Sequence, residues 1–195
     1  MNIGDVIAFA DIDPVSKTIQ AFTSSNVSHV AVVVDQIVSD FLIIEAATFK
    51  SGIYVGATLF SKRLIEYIKN KGSIWCLELN QDNKNKLHKE MDTFKRFLYT
   101  QLNKQYDFQG AIMAGLDNMD TIGMTISVEN YDNFFCSELI ASVFKKIGIL
   151  PEMNCGEVTP IDLCKFSLYS GYNNILGTQK IKGFNTVADY SVFQK

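Results

Sequence analysis

The sequence predicts an α+β fold in which a small antiparallel sheet, or an open barrel made from one, packs against helices. Two observations carry this. Ser28 to Asp35 reads SHVAVVVD, too β-branched to be anything but a buried strand, and Phe41 to Ala46 has the same character a few residues later. In contrast, Leu87, Met91, Phe94, Leu98 and Leu102 recur at spacings of three and four, the period of an amphipathic helix.

The elements follow in chain order. Gly4 to Ala10 is a short strand. Asp13-Pro14 supplies an N-cap followed by Pro at the first helical position, opening a helix through Ile19 and Phe22 that ends in Thr23-Ser24-Ser25-Asn26. Val30 to Asp35 and Phe41 to Ala46, joined by Gln36 to Asp40, form a hairpin. A turn centred near residues 37 and 38 sets Val30 opposite Glu45 and His29 opposite Ala46. His29 and Glu45 are then neighbours at one end of the hairpin, and register decides whether they share a face.

Ile53 to Val55 is a third strand-like piece, leading to a helix from Ser61 to Lys69. Ser73 to Leu79 is a strand, and Asp82 to about Leu102 is one long amphipathic helix. Gln109 to Val128 has no clean period and reads as a lid or binding loop. Cys136 to Phe144 is a helix. Thr159-Pro160 starts another, and the tail holds short strand-like or irregular pieces.

With 195 residues, 47% apolar and 20% charged, the chain is expected to form a single domain over 1–195 that buries roughly 70% of its unfolded surface without disulfide staples. The net charge of −3 and the scattered lysines argue against nucleic acid as a partner. Neither a signal peptide nor an apolar run of about 18 residues is visible, so no membrane span is expected and the cytoplasm is the expected compartment.

Cys76, Cys136, Cys155 and Cys164 are irregularly spaced, which suits a reducing environment and not a zinc site. Cys76 sits inside a strand and reads as core, leaving Cys155 and Cys164 as ordinary thiols. His88 falls on the polar arc of its helix, so His29 is the one imidazole placed for chemistry. Cys136 opens a helix, where unpaired N–H groups and the positive end of the dipole favour the thiolate. Nucleophile and base are therefore Cys136 and His29. Glu45, a carboxylate in the apolar run FLIIEA, needs a partner to be buried there. His29 is the natural one, with a backbone donor or a Lys as the structural alternative. Glu138 is a carboxylate of the helix start, complementing the dipole, and Asp107 a cap or turn residue.

Gly4-Asp5-Val6-Ile7, Ser28-His29-Val30, Ile44-Glu45-Ala46, Tyr106-Asp107-Phe108, Phe135-Cys136-Ser137-Glu138-Leu139 and Val158-Thr159-Pro160 occur in this order. Together, over about residues 4 to 165, they resemble the circularly permuted NlpC/P60 papain-like cysteine hydrolases of the YiiX/YebB-like group, which has poxvirus and phage-like relatives. His29 and Glu45 precede Cys136, as in the permuted branch. The resemblance implies a papain-like fold with the nucleophile helix packed on the sheet, and a Cys136-His29-Glu45 triad. It further implies that Tyr106 places its hydroxyl at the substrate carbonyl or in the oxyanion hole, and that no metal or organic cofactor takes part. The implied activity is that of an amidase or peptidase working through a thioester on an amide, peptide or lipid-like small substrate. The alternatives are an LRAT-like lipid acyltransferase or thioesterase, and a non-catalytic binding protein on the same fold.

Overall fold

A computed structural model describes residues 1–49, 51–106, 133–134 and 136–194. The chain forms an α+β structure around a sheet of eight strands. In chain order the elements are β1 (Val6–Ala10), α1 (Pro14–Phe22), β2 (His29–Ile37), β3 (Asp40–Phe49), β4 (Gly52–Leu59), α2 (Phe60–Lys69) and β5 (Ser73–Leu79). They continue with α3 (Gln81–Lys89), α4 (Met91–Gln101), β6 (Gln105–Tyr106), β7 (Asn133–Phe134), α5 (Cys136–Lys146), α6 (Pro160–Lys165) and β8 (Tyr169–Leu176). The strand order is β7-β6-β4-β3-β2-β1-β5-β8, so among the described residues the sheet is open, with β7 and β8 at its ends. Its six long strands pair antiparallel throughout, and only the two-residue strands β6 and β7 pair parallel.

Strand alternation sorts the apolar side chains into two layers. Val6, Ala8, Val30, Val32, Ile44, Trp75 and Leu77 point to one face, where Phe94 and Leu98 of α4 and Leu139, Ile140 and Phe144 of α5 cover them. Ile7, Phe9, Ala31, Val33, Ile43 and Cys76 point to the other, under Phe60 and Tyr67 of α2. A strand covered on both sides must be apolar at every position, and all five residues of β1 are buried.

The helix starts follow capping chemistry. The Ser16 N–H donates to Asp13 Oδ1 at the start of α1, and the Asn83 N–H to Asn80 Oδ1 at the start of α3. Thr159 caps α6 in a full capping box with Asp162, with Pro160 in the first turn.

Three expectations are corrected. First, the stretch from Asp82 to Leu102 is two helices, because Glu90, at φ −108° and ψ 21°, leaves the helical region between α3 and α4. The apolar repeat from Leu87 to Leu98 runs on across the break, since a period records faces and not one non-helical residue. Second, the piece at Ile53 to Val55 is an eight-residue strand, β4, paired along its length with β3. Third, the hairpin register differs. The turn lies at Val38-Ser39, with Ile37 opposite Asp40, and Val34 is an extra, unpaired residue, so that Asp35 pairs Leu42 while Val33 pairs Ile43 and Val32 pairs Ile44. The segment Gln109 to Val128, expected to be a lid, and Asp107 lie outside the described residues.

Replacing Thr159 by Ala removes the side-chain acceptor of the α6 cap and is expected to lower unfolding free energy by about 1 kcal/mol, measured by urea denaturation. Thr159→Ser should retain most of it. Equal stability of Thr159→Ala and wild type would show that the cap contributes nothing.

Candidate active site

His29 is the first residue of β2, paired with Phe9 of β1 and held there by the Ser28 N–H donating to the Phe9 carbonyl at 2.9 Å. Its ring lies 5.6 Å from that of Phe9. Across the hairpin stands Glu45, a carboxylate with no exposed surface. Glu45 Oε2 meets His29 Nε2 at 2.8 Å.

The one-residue bulge at Val34 makes this contact possible. A continuous ladder from the Ile37–Asp40 pair would set Glu45 opposite Val32 and turn it to the α5 face of the sheet. The extra residue advances the register by one, aligns Ile43 with Val33, and brings Glu45 to the face of Ala31 and His29. The sequence sets the two residues side by side and leaves their shared face to the register, which is decided by a bulge that has no compositional mark in a run of valines.

The second partner of Glu45 was not foreseen. Arg63 on α2 donates from Nε to Glu45 Oε1 at 2.7 Å and from Nη1 to Glu66 Oε2 at 2.7 Å. Its place could have been read from spacing, because Phe60 and Tyr67, buried on the sheet, stand three and four residues to either side, so a cation there points at the core. Both carboxylate oxygens of Glu45 are therefore matched by cationic donors, the arrangement that makes a dry carboxylate tolerable. Burial alone would push the Glu45 carboxyl up, but the His29 hydrogen bond and the charges of His29 and Arg63 outweigh it and hold it below the usual carboxylate range.

Cys136 is the first residue of α5 and is buried. It lies close enough to the His29 imidazole to favour its charged form. Nε2 faces Glu45. Burial disfavours the imidazolium, yet Cys136 and Glu45 together more than offset this and raise His29 to about 9. The helix start is anchored by Ser137, whose hydroxyl donates to the Val158 carbonyl at 2.5 Å, just ahead of the capped helix α6.

The structure thus brings Cys136, His29 and Glu45 into one connected chain. Tyr106 is described through its backbone in β6, and the expectation for its hydroxyl lies outside the described residues. Glu138, two residues into α5, is buried and stays a residue of the helix start. His88 is exposed, as its polar arc requires. Cys76 is core, its thiol pushed up to about 12 chiefly by burial. The expectation for Cys155 and Cys164 is corrected: both are fully buried, and Cys164 donates to the Pro160 carbonyl at 3.2 Å, with burial raising its thiol strongly.

Beside the site is a cleft of about 510 Å³ whose wall includes His29, Arg63, Glu66, Tyr67, Asp11 and Ser28. Among the described residues, no helix is long and apolar enough to cross a membrane.

No protein-family model matches the chain, and no curated protein matches it. Among solved structures it is similar to the metalloprotein YiiX of Escherichia coli O157:H7, at 22% identity and a TM-score of 0.49, over 75% of this chain and 66% of that one. The chain therefore spans just under two thirds of that protein's length. The permuted NlpC/P60 resemblance rests on the ordered motifs alone. YiiX is described as a metalloprotein. Among the described residues of this chain, no group of three or more His, Cys, Asp or Glu is arranged to hold a metal ion, and both oxygens of Glu45 are already taken by His29 and Arg63.

A raised His29 carries a pH signature. Its imidazolium stabilises the folded state fully below the unfolded value near 6.5, and that contribution is lost as pH rises through about 9. Urea denaturation of wild type and His29→Gln across pH 6 to 10 should show a stability difference of at most about 3 kcal/mol that closes over this window. A difference independent of pH would mean that folding leaves the titration of His29 unshifted.

Proposed function

We propose that the chain is a cysteine hydrolase of papain-like type, a permuted NlpC/P60 relative acting as amidase or peptidase. The observation that supports this reading best is the 2.8 Å contact of the buried Glu45 carboxylate with His29, an imidazole whose charged form is also favoured by Cys136, the first residue of α5. This is the nucleophile, base and orienting group that acyl transfer needs. All four cysteines are buried, but Cys136 is the one that opens an α-helix, whereas Cys76 lies within β5 beside the Asp5 carboxylate and Cys164 lies within α6, donating to the Pro160 carbonyl.

In this reading the Cys136 thiolate attacks the substrate carbonyl, forming the S–C bond and a tetrahedral oxyanion. The first backbone N–H groups of α5 and the Tyr106 hydroxyl stabilise that charge, each such donor being worth roughly 3 kcal/mol. Collapse breaks the bond to the leaving amine or alcohol, which takes the proton from the His29 imidazolium and leaves a thioester. His29 then removes a proton from water as it attacks the thioester. The acid departs and the proton returns the site to its thiolate–imidazolium state. Glu45 stays ionised throughout, fixing the ring and compensating its positive charge.

The cleft beside His29 would receive the leaving-group side of an amide or peptide, because His29 is the group that protonates the leaving atom. A p-nitrophenyl ester should give a burst of nitrophenol and an acyl adduct that peptide mapping places on Cys136. Cys136→Ala and His29→Ala should abolish turnover. Glu45→Gln should fall by about 10⁴-fold yet remain above background, since the amide still orients the ring without its charge. An adduct on another residue, or full activity of Glu45→Gln, would sink the triad.

A further inference from the structure

We infer that Arg63 is a positioning residue for this reaction: its guanidinium keeps Glu45 ionised and aimed at His29, and thereby sets the charge balance that allows Cys136 to be a thiolate. This rests on the cysteine-hydrolase reading above and adds a residue outside the triad.

Three contacts fix the guanidinium. Its Nε and Nη1 donate in different directions, to Glu45 and to Glu66, each at 2.7 Å, and its central carbon lies 5.4 Å from the centroid of the Phe49 ring. The ring itself has a prepared place. Gly56 is the β4 residue opposite Glu45, and a Cβ there would come within 2.5 Å of Phe49 Cζ. A planar, delocalised cation with divergent N–H groups fills this slot, and an ammonium supplies the charge without the fork or the flat face. The Arg63 side chain is 13% exposed, between the fully buried Glu45 and the half-exposed Glu66.

In the thiolate–imidazolium state that the proposed reaction requires, the charges alternate from solvent inward: Glu66 negative, Arg63 positive, Glu45 negative, His29 positive, Cys136 negative. The inner four sum to zero. Removal of Arg63 leaves one anion too many in a poorly hydrated place. Glu45 then takes a proton, in which case the imidazolium loses its counter-charge, or Glu45 and His29 remain paired and the thiolate becomes the surplus charge. Both routes work against the thiolate. The other groups facing Arg63 do not compensate. Tyr67 on the same helix is held protonated by burial and by the nearby carboxylates, and Asp11 and Asp13 across the cleft add negative charge. Among the described residues lining the cleft there is no lysine and no second arginine.

The test follows iodoacetamide alkylation of Cys136 from pH 5 to 10 by residue-resolved mass spectrometry, in wild type, Arg63→Met, Arg63→Lys, Glu45→Gln and the double variant Arg63→Met/Glu45→Gln. Arg63→Met should slow alkylation at pH 6 by about tenfold or more and move the pH of half-maximal rate upward by about one unit. Arg63→Lys should recover most of that shift. The double variant, having lost one charge of each sign, should shift by less than the sum of the two single variants. A purely structural ion pair would lower the melting temperature and leave the pH profile unmoved. An Arg63→Met profile superimposable on wild type, or a double variant equal to the sum of the singles, would overturn the inference. If Arg63→Met does not fold, Arg63→Gln keeps a donor without the charge and makes the same comparison. Failure of the underlying reading looks different: wild-type Cys136 would then react no faster than Cys76, Cys155 or Cys164, or would be indifferent to His29→Ala.

Discussion

A carboxylate without any contact with solvent is an expensive object, and the arrangement of three elements follows from satisfying the one on Glu45. Its two oxygens are met by β2 through His29 and by α2 through Arg63, so the start of one strand and the middle of one helix are fixed relative to β3. The Coulomb attraction in such a cluster is largely offset by desolvation of the ions. Most of the stability therefore comes from the two apolar layers of the sheet, and the ion cluster supplies direction: it leaves the imidazole little freedom to rotate or to change partner. The cluster costs most if broken halfway, because loss of either cation strands a buried anion.

The two faces of the sheet divide the labour. The face under α4 and α5 is almost wholly apolar and holds the helix that carries Cys136, while the face under α2 carries the charged groups. His29 stands at the very end of its strand, where its ring is in reach of Cys136 on one layer and Glu45 on the other. Burial disfavours the charged form at Cys76, Cys164, His29 and Arg63 alike, and their neighbours decide the outcome. At Cys76 and Cys164 nearby carboxylates add to burial and the thiols stay protonated, whereas at His29 and Arg63 opposite charges outweigh it.

Much of this was legible in the sequence, and the reasons differ from residue to residue. The strands at residues 6–10, 29–37 and 73–79 announce themselves because a doubly covered strand must be apolar throughout. Asp13-Pro14 and Thr159-Pro160 announce their helices because capping is local chemistry. Glu45 drew notice as a charge inside an apolar run. What stayed hidden depends on long-range geometry. The partner of Glu45 is on a helix eighteen positions away, and its cue, Arg63 interleaved with Phe60 and Tyr67, is visible only once that stripe is known to face the sheet. The break at Glu90 leaves the apolar repeat undisturbed and so escapes a periodicity argument. Cys155 and Cys164 looked ordinary because their surroundings are irregular in sequence, yet tertiary packing buries both.

The unpaired Val34 has a consequence for how this sequence can change over time. On a pleated strand, sidedness is a matter of odd and even, and the extra residue is what gives His29 and Glu45 the same parity. Residues may come and go at the solvent-exposed tip, Val38-Ser39, since the loop absorbs them before the ladder begins. A single deletion or insertion between His29 and Val34, or between Leu42 and Glu45, would leave hydropathy almost untouched while exchanging the two sides. Such a change would yield a chain that still folds as an α+β sheet but has turned its carboxylate away from its imidazole. In comparing distant sequences of this kind, the count of residues modulo two between those positions is a sharper mark of a working site than their percentage identity.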